Sequence, residues 1–434
     1  MAQQDFFSFD WKKFFAPLRG EILVLGNPPW VTNAALGVLG SKNLPRKTNF
    51  QNHSGFAAKT GKANFDISEW MLIKLLEALG SQRGCVAMLC KTGTARKVLR
   101  HAWLNHFKIG RASIHLIDAT THFGASVNAC LLVVHTGVPD ATPTATVYSD
   151  LSFDKKMATF ALIARELVAD VDEYTRLRDL DGFSSYTWRS GVKHDAASVM
   201  EFRKEDASLV NGAGERVEIE STFTYPLLKS SDLANGRLTP YRYVLVTQRT
   251  PGDDTNTIAK TAPKTWSYLL RHADVLDRRQ SIIYRKRSRF SVFGVGDYTF
   301  APWKVAVSGL YKKCRFEVVR CYKNKPVVLD DTCYFIPCSC EREATFLRDL
   351  LNSDLVKRFL SSLVFFDAKR PITIDVLRRI DLKRVAEKLG LESDARKYLR
   401  DAGLFERQQG VFAFEKEEKY RTKKSRIGHV TRSR

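Results

Sequence analysis

The sequence predicts an α/β fold: an open sheet in the first third of the chain, a mixed α+β domain after it, and a helical, basic tail. Short apolar runs alternate with amphipathic stretches between Glu21 and Gly137. That is the strand, helix, strand pattern of an open sheet, whose ligands sit beyond the carboxyl ends of its strands. Past Trp188 the pattern breaks into short strands, turns and irregular segments up to about Pro337. From Glu341 helical periodicity returns, and charge accumulates from Lys416 to Arg434. The boundaries that follow are 1–149 for the sheet domain, 150–184 for a helical linker, 185–383 for the second domain and 384–434 for the tail.

The apolar run 21–25 ends at Gly26, as expected of a buried parallel strand that delivers the next residues to its carboxyl end. A polar stretch, 31–63, carries Lys42, Arg46, Lys47, Lys59 and Lys62. It is too long for a plain connection, which points to a functional segment that orders on a ligand. A helix is expected from Asp66, with Asp66 as cap, Glu69 three residues on as in a capping box, and apolar side chains around the axis to Leu79. A strand (85–90), a helix (94–107), a strand (114–118) and an apolar run (129–135) closed by Gly137 complete the alternation, the last two strands forming a hairpin. Residues 150–181 read as helix and linker.

With 434 residues, 44% of them hydrophobic, the chain can bury a real core. Its formal net charge of +22 suits a polyanionic partner, nucleic acid ahead of an anionic membrane surface. No segment approaches the roughly 18 uninterrupted apolar residues of a spanning helix, and the N-terminus lacks the order of a signal peptide, so a cytoplasmic location is expected. The eight cysteines then read as reduced thiols. Zinc is not expected at Cys314, Cys321, Cys333, Cys338 and Cys340, which lack C-x-x-C pairs and a nearby histidine.

Asn27-Pro28-Pro29-Trp30, at the tip of the first strand, carries the chemistry. Asn27 offers a side-chain amide oxygen, and Pro28 keeps a carbonyl that the stiff Pro-Pro pair can hold outward. Two acceptors set against the hydrogens of an amino group on a planar heterocycle pull its nitrogen toward tetrahedral geometry and stabilise the positive charge that grows when it is alkylated. Trp30 adds a flat face on which an extruded base can stack. The same residues also suit a simple turn after a strand.

Residues Gly26-Asn27-Pro28-Pro29-Trp30 resemble motif IV of the N6-adenine DNA methyltransferases, where [D/N/S]-P-P-[Y/F/W] binds the target base. Residues 64–79 are similar to that family's motif V helix, 84–100 to its motif VI, and 114–134 to its motifs VII and VIII. Phe123 falls where the family places an aromatic against the other face of the flipped base; a core position suits it equally. The second domain resembles the recognition region of the large restriction–modification and phage-exclusion enzymes of this kind, at Trp188-x-x-Gly191, Tyr268-Leu-Leu with Leu276-Asp-Arg-Arg279, Tyr298-Thr-Phe-Ala-Pro-Trp303, and Leu350-Leu-Asn-Ser353. Together the matches span most of residues 20–383. The resemblance implies a class-I methyltransferase (Rossmann-like) sheet, S-adenosyl-L-methionine as methyl donor, no metal, and double-stranded DNA as substrate.

That family seats S-adenosylmethionine on the first strands of the sheet, at a Gly-rich turn opening a helix. Only 26 residues precede Asn27, too few for three strands and their crossovers. Downstream, Asn211-Gly-Ala-Gly214 leads into an alternating run and Phe293-Gly-Val-Gly296 into Tyr-Thr-Phe-Ala-Pro, so neither is expected to open a helix. The sheet is therefore expected to lack its cofactor-binding half, and a second methyltransferase subunit carrying the Gly-rich motif is expected to supply it and to cover the exposed strand edge. Phe6, Phe7, Phe9, Trp11, Phe14 and Phe15 either pack on the chain's own core or dock that partner.

Arg278, Arg279, Arg285, Lys286, Arg287 and Arg289 crowd one stretch of the second domain and suit phosphate contacts, with an arginine or two free to read guanine edges. A solvated basic face is the plainer reading. Lys42, Arg46 and Lys47 are placed to hold the strand from which a base is extruded. Two other functions remain open at this level: methylation of glutamine in a protein, which also uses an Asn-Pro-Pro-Tyr site, and a DNA-recognition subunit that has lost the reaction.

Overall fold

The computed structural model describes residues 4–31, 66–138, 142–152, 154–184, 186–206, 208–284 and 287–398. The chain divides into two compact units, 1–179 with 357–371, and 180–356 with 372–434.

The first unit is built on one seven-stranded sheet. In chain order its elements are α1 (Trp11–Phe15), β1 (Ile22–Gly26), α2 (Ile67–Leu79), β2 (Gly84–Lys91), α3 (Thr92–Leu104), β3 (Ile109–Asp118), α4 (Ala119–Phe123), β4 (Asn128–Thr136), β5 (Thr144–Tyr148), β6 (Lys156–Ile163), β7 (Glu166–Val168) and α5 (Val171–Leu177). The strand order is β1-β2-β4-β3-β5-β6-β7. β1 runs parallel to β2 and β3 to β5, while β4 lies antiparallel to both β2 and β3, the hairpin expected of the last two strands.

Asp66 caps α2, accepting from Ser68 N at 3.2 Å, while Glu69 pairs with Lys97 at 3.4 Å across to α3. Val86, Met88, Cys90, Leu132 and Val134 on one sheet face pack against Leu72, Leu75, Leu76, Leu79, Val98 and Leu99 of α2 and α3, and Ile22 and Val24 of β1 join them. Leu23 and Leu25 project to the other face, where they are 67% and 72% exposed. Ala87 and Val133 continue the row from Leu25 across β2 and β4.

Two expectations need correction here. Residues 150–184 are not a helical linker: β6 and β7 extend the sheet, and helix is confined to α5 and the 3₁₀ turn Arg178–Leu180 that follows it among the described residues. Ile163 pairs with Glu166, so Ala164 and Arg165 form a two-residue hairpin turn with φ of 49° and 70°. Such turns normally carry Asn-Gly, and Ala-Arg hides the reversal in the sequence. Residues 357–371 also belong to this unit rather than to the second: Ser362 O accepts from the backbone N–H of Ala169 (2.8 Å) and Asp170 (3.0 Å), and Asp367 pairs with Arg96 at 2.7 Å.

The N-terminal aromatics pack on the chain itself. Phe6 lies 4.7 Å from Trp11, Phe7 5.3 Å from Trp70 of α2, and Phe15 is buried. Gln82 ties this segment down by donating to Phe15 O at 2.9 Å. Phe14 differs from those rings in being 48% exposed.

The second unit contains β8 (Arg189–Ser190), β9 (Glu201–Glu205), β10 (Ser208–Asn211), β11 (Arg216–Val217), β12 (Thr224–Leu228), β13 (Arg242–Leu245), β14 (Trp303–Ser308), β15 (Phe316–Arg320), β16 (Val328–Leu329) and β17 (Cys333–Cys338). They form a six-stranded sheet, β11-β10-β9-β13-β12-β16, and a four-stranded one, β15-β14-β17-β8. Short helices separate them, and the helices Leu382–Lys388 and Glu392–Tyr398 end the described part of the tail. No helix among the described residues is long and apolar enough to cross a membrane.

Candidate active site at the end of the edge strand

β1 ends at Gly26, whose missing Cβ would lie 3.0 Å from Met88 Sδ on the neighbouring strand. The chain then leaves the sheet at its carboxyl end. Asn27 and Pro29 are exposed, Pro28 is buried and Trp30 is half-buried. Prolines have no N–H to donate, so the segment is fastened by other groups. The Trp30 indole N–H donates to Leu89 O at 3.3 Å. Lys91 Nζ donates to Trp30 O at 2.7 Å and pairs with Asp66 Oδ2 at 2.8 Å. Val31 O accepts from Ile67 N at 3.0 Å. The last residues of β2 and the first turn of α2 thereby hold the tetrapeptide in place.

Phe123 ends α4, is 49% exposed and meets Trp30 in an edge contact, with ring centroids 5.8 Å apart and planes at 82°. The two expected base-binding aromatics are therefore neighbours, but not as parallel plates. A cavity of about 390 Å³ opens at the same carboxyl ends, lined by Thr92, Leu116, Asp118, Thr120, Ser126 and Asn128 among others. Asp118 caps α4 through the N–H groups of Thr120 and Thr121, and the Thr121 bonds hold its carboxyl below the usual range. Burial raises the Asp367 carboxyl, but the Arg96 guanidinium and the Thr92 hydroxyl, both from α3, outweigh it and keep the group below its ordinary value. A larger cavity of about 650 Å³, lined by Glu21, Leu23, Arg83, Cys85 and Arg111, lies at the amino ends of β1 and β2, the opposite end from Asn27. Size alone does not locate the site.

Lys91 and Asp66 were not foreseen as part of the site. The available signal was a lysine closing an apolar strand directly before a helix.

Among the described residues no strand-to-helix junction has the Gly-rich turn that cradles S-adenosylmethionine. β2 enters α3 through Thr92-Gly93-Thr94. Gly212 and Gly214 lie in the β10–β11 hairpin. Gly296, expected not to open a helix, precedes a single 3₁₀ turn, Asp297–Phe300. None of these described junctions fits the cofactor.

The basic stretch of the second unit is divided in its duties. Arg278 is 82% exposed, with its nearest carboxylate, Asp274, at 3.9 Å. Arg287 is exposed and donates to Pro251 O at 3.2 Å, and Arg289 pairs with Asp277 at 2.7 Å. Arg279 does not belong with them. Its guanidinium donates to Leu276 O, His194 O and Ser291 O, stacks on Tyr284 at 3.9 Å, and has its pKa lowered by burial. Lys42, Arg46, Lys47, Arg285 and Lys286 lie outside the described residues.

The pieces of the second unit that carried the resemblance are framework. Trp188 is buried, and a Cβ on Gly191 would come within 2.2 Å of the carbonyls of Leu329 and Asp330. Tyr268 donates to Val199 O at 2.8 Å, and the Asn352 side chain bonds both Phe316 N (3.0 Å) and Phe316 O (2.8 Å).

No protein-family model matches the chain. It is 42% identical to the type II methyltransferase M.NspV of Nostoc sp. (strain ATCC 29411 / PCC 7524) over 385 residues, which is 88% of this chain and 80% of the relative. Among solved structures it is similar to the type IIL restriction–modification enzyme MmeI in complex with DNA, with a TM-score of 0.52, 10% identity and 94% of this chain covered. It also aligns with the type IIG restriction endonuclease BpuSI at 12% identity over 91% of this chain, with a TM-score of only 0.31. The chain spans 57% and 50% of those two proteins. The first likeness supports the fold, and the sequence match decides the family: the chain belongs to the type II methyltransferases.

Proposed function

We propose that this chain supplies the target-base site and the DNA-recognition surface of an adenine-N6 DNA methyltransferase, and that a partner subunit supplies the S-adenosylmethionine site. The observation that carries the reading is the placement of Asn27-Pro28-Pro29-Trp30 at the carboxyl end of an edge strand, with Phe123 against Trp30. The Asn27 amide oxygen and the Pro28 carbonyl accept the two amino hydrogens of a flipped adenine, drawing the nitrogen lone pair out of the ring and stabilising the charge that develops. Trp30 and Phe123 offset the cost of removing the base from its stack. S-adenosylmethionine supplies the methyl group.

Partner dependence is supported by β1. It is hydrogen-bonded on one side only among the described strands, and it presents Leu23 and Leu25 to solvent beside Ala87 and Val133. An apolar edge of this kind pairs or aggregates unless covered. Arg278, Arg287 and Arg289 of the second unit, together with Lys42, Arg46, Lys47, Arg285 and Lys286, are the proposed DNA contacts.

The test begins with base-resolution sequencing of host DNA to find the methylated sequence. Transfer of labelled methyl to that site is then measured for the chain alone, for the chain with its co-purifying partner, and for Asn27→Ala in the complex. Activity only in the complex, lost on Asn27→Ala, is expected. A tag-free chain that binds S-adenosylmethionine and methylates adenine unaided refutes the split enzyme, and an active Asn27→Ala refutes the site.

A further inference from the structure

The Asn-Pro-Pro segment has an anchoring problem that its own backbone cannot solve. Pro28 and Pro29 donate nothing, and Asn27 has left the β1 ladder, whose last registered pair is Gly26 with Met88. The ammonium of Lys91 stands at the junction that does solve it. It ends β2, precedes α3, donates to Trp30 O at 2.7 Å and pairs with Asp66 at 2.8 Å. Asp66 is itself held, buried to 7% exposure, by Ser68 N at 3.2 Å and Ser68 Oγ at 2.5 Å in the cap of α2.

We infer that Lys91 and Asp66 are positioning residues for the reaction, resting on the reading of Asn27–Trp30 as the target-base site. The charge-assisted bond from Lys91 fixes the peptide after Trp30. The indole bond to Leu89 O fixes its ring. Between those two points the Asn27 amide, the Pro28 carbonyl and the Trp30 face keep one mutual orientation. Asp66 keeps the ammonium aimed at the Trp30 carbonyl and balances its charge, so that no uncompensated cation stands beside a nitrogen that becomes positive during transfer. Small misplacements of groups that must meet both amino hydrogens at once are expensive, which makes a tether at this point matter to rate rather than to DNA affinity.

The experiment uses the active enzyme purified from its native host and a duplex carrying 2-aminopurine or adenine at the methylated position. Lys91→Met, Lys91→Arg, Asp66→Asn and Asn27→Ala are compared for DNA affinity, single-turnover methyl transfer and 2-aminopurine fluorescence. Lys91→Met is expected to slow transfer about 10- to 100-fold, the loss that follows removal of one hydrogen bond from a charged donor, with DNA affinity unchanged and a weaker or shifted 2-aminopurine signal. Lys91→Arg, which can still donate, is expected to recover part of the rate, and Asp66→Asn to fall between. Wild-type transfer by Lys91→Met overturns the inference, as does an equal loss in Lys91→Met and Lys91→Arg accompanied by loss of DNA binding, which would mark Lys91 as a residue of folding only. Asn27→Ala separates the two readings: if it stays active, the site assignment itself has failed, and if it is dead while Lys91→Met is normal, only the tether has.

Discussion

Trp30 and Phe123 meet edge to face, 5.8 Å between centroids and 82° between planes, at the rim of the strand ends. An adenine stacked on one of these rings would present its edge to the other, because two rings at right angles leave no slot for a base between parallel faces. Trp30 is the better platform, since its indole is oriented by the bond to Leu89 O, whereas Phe123 belongs to a five-residue helix and is half exposed. Trp30→Ala is therefore expected to weaken the extruded state by about 1–3 kcal/mol and Phe123→Ala by less. The readout is 2-aminopurine fluorescence at the target position, and a larger loss for Phe123→Ala would reverse the assignment of the platform.

Leu23 and Leu25 are exposed in this chain, so polar replacements should cost it little stability while spoiling whatever covers β1. Leu25→Glu is expected to leave the melting temperature of the isolated chain within a degree or two and to abolish both co-purification and methyl transfer. Retention of both would show that β1 is not the docking edge.

The arginines of the second unit should separate by environment. Arg287→Gln and Arg289→Gln are expected to weaken DNA binding uniformly across sequences, each lowering the slope of log K against log salt by about 0.9 if it meets one phosphate. Arg279→Gln should instead destabilise the unit, because the carbonyls of His194 and Ser291 lose the guanidinium that donates to them. Salt titrations of DNA affinity and thermal melts distinguish the two outcomes.

Lys304, on β14, is 1% exposed, donates to Ala301 O at 2.6 Å, and burial brings its pKa down to about 7. The unfolded chain holds that proton up to about pH 10.5, so between about pH 7 and 10.5 unfolding takes up a proton. The contribution of this residue therefore makes the protein more stable as pH rises through that window and less stable below it. Lys304→Met should remove this slope and raise stability at neutral pH by an amount on the order of a few kcal/mol. Denaturant melts of both forms across that pH range provide the check, and parallel curves would contradict it.

Periodicity and local chemistry made much of the first unit legible. α2 begins where Asp66 can cap it, and β2, α3 and β4 fall within three residues of the stretches that announced them, whereas β3 starts five residues before its expected run. The place of Asn27-Pro28-Pro29-Trp30 directly after a strand was readable because the apolar run 21–25 ends at Gly26. The β6–β7 hairpin was not, because its reversal uses Ala164 and Arg165 in the left-handed region, where sequence gives no warning.

What the sequence by itself determined, then, is a candidate site and the strand it ends: two acceptor groups and a flat ring directly after an apolar run. Only the tertiary structure decided how that site is held and what each cation does. Lys91 lies 61 residues from Trp30, and Asp66 25 residues from Lys91, so their junction depends on β1 pairing with β2 and α2 packing beside them. Arg279 and Arg287 look alike in a basic run, yet one is enclosed by carbonyls and the other faces solvent. Composition sets the total charge; burial and long-range pairing set which charges remain available to a partner.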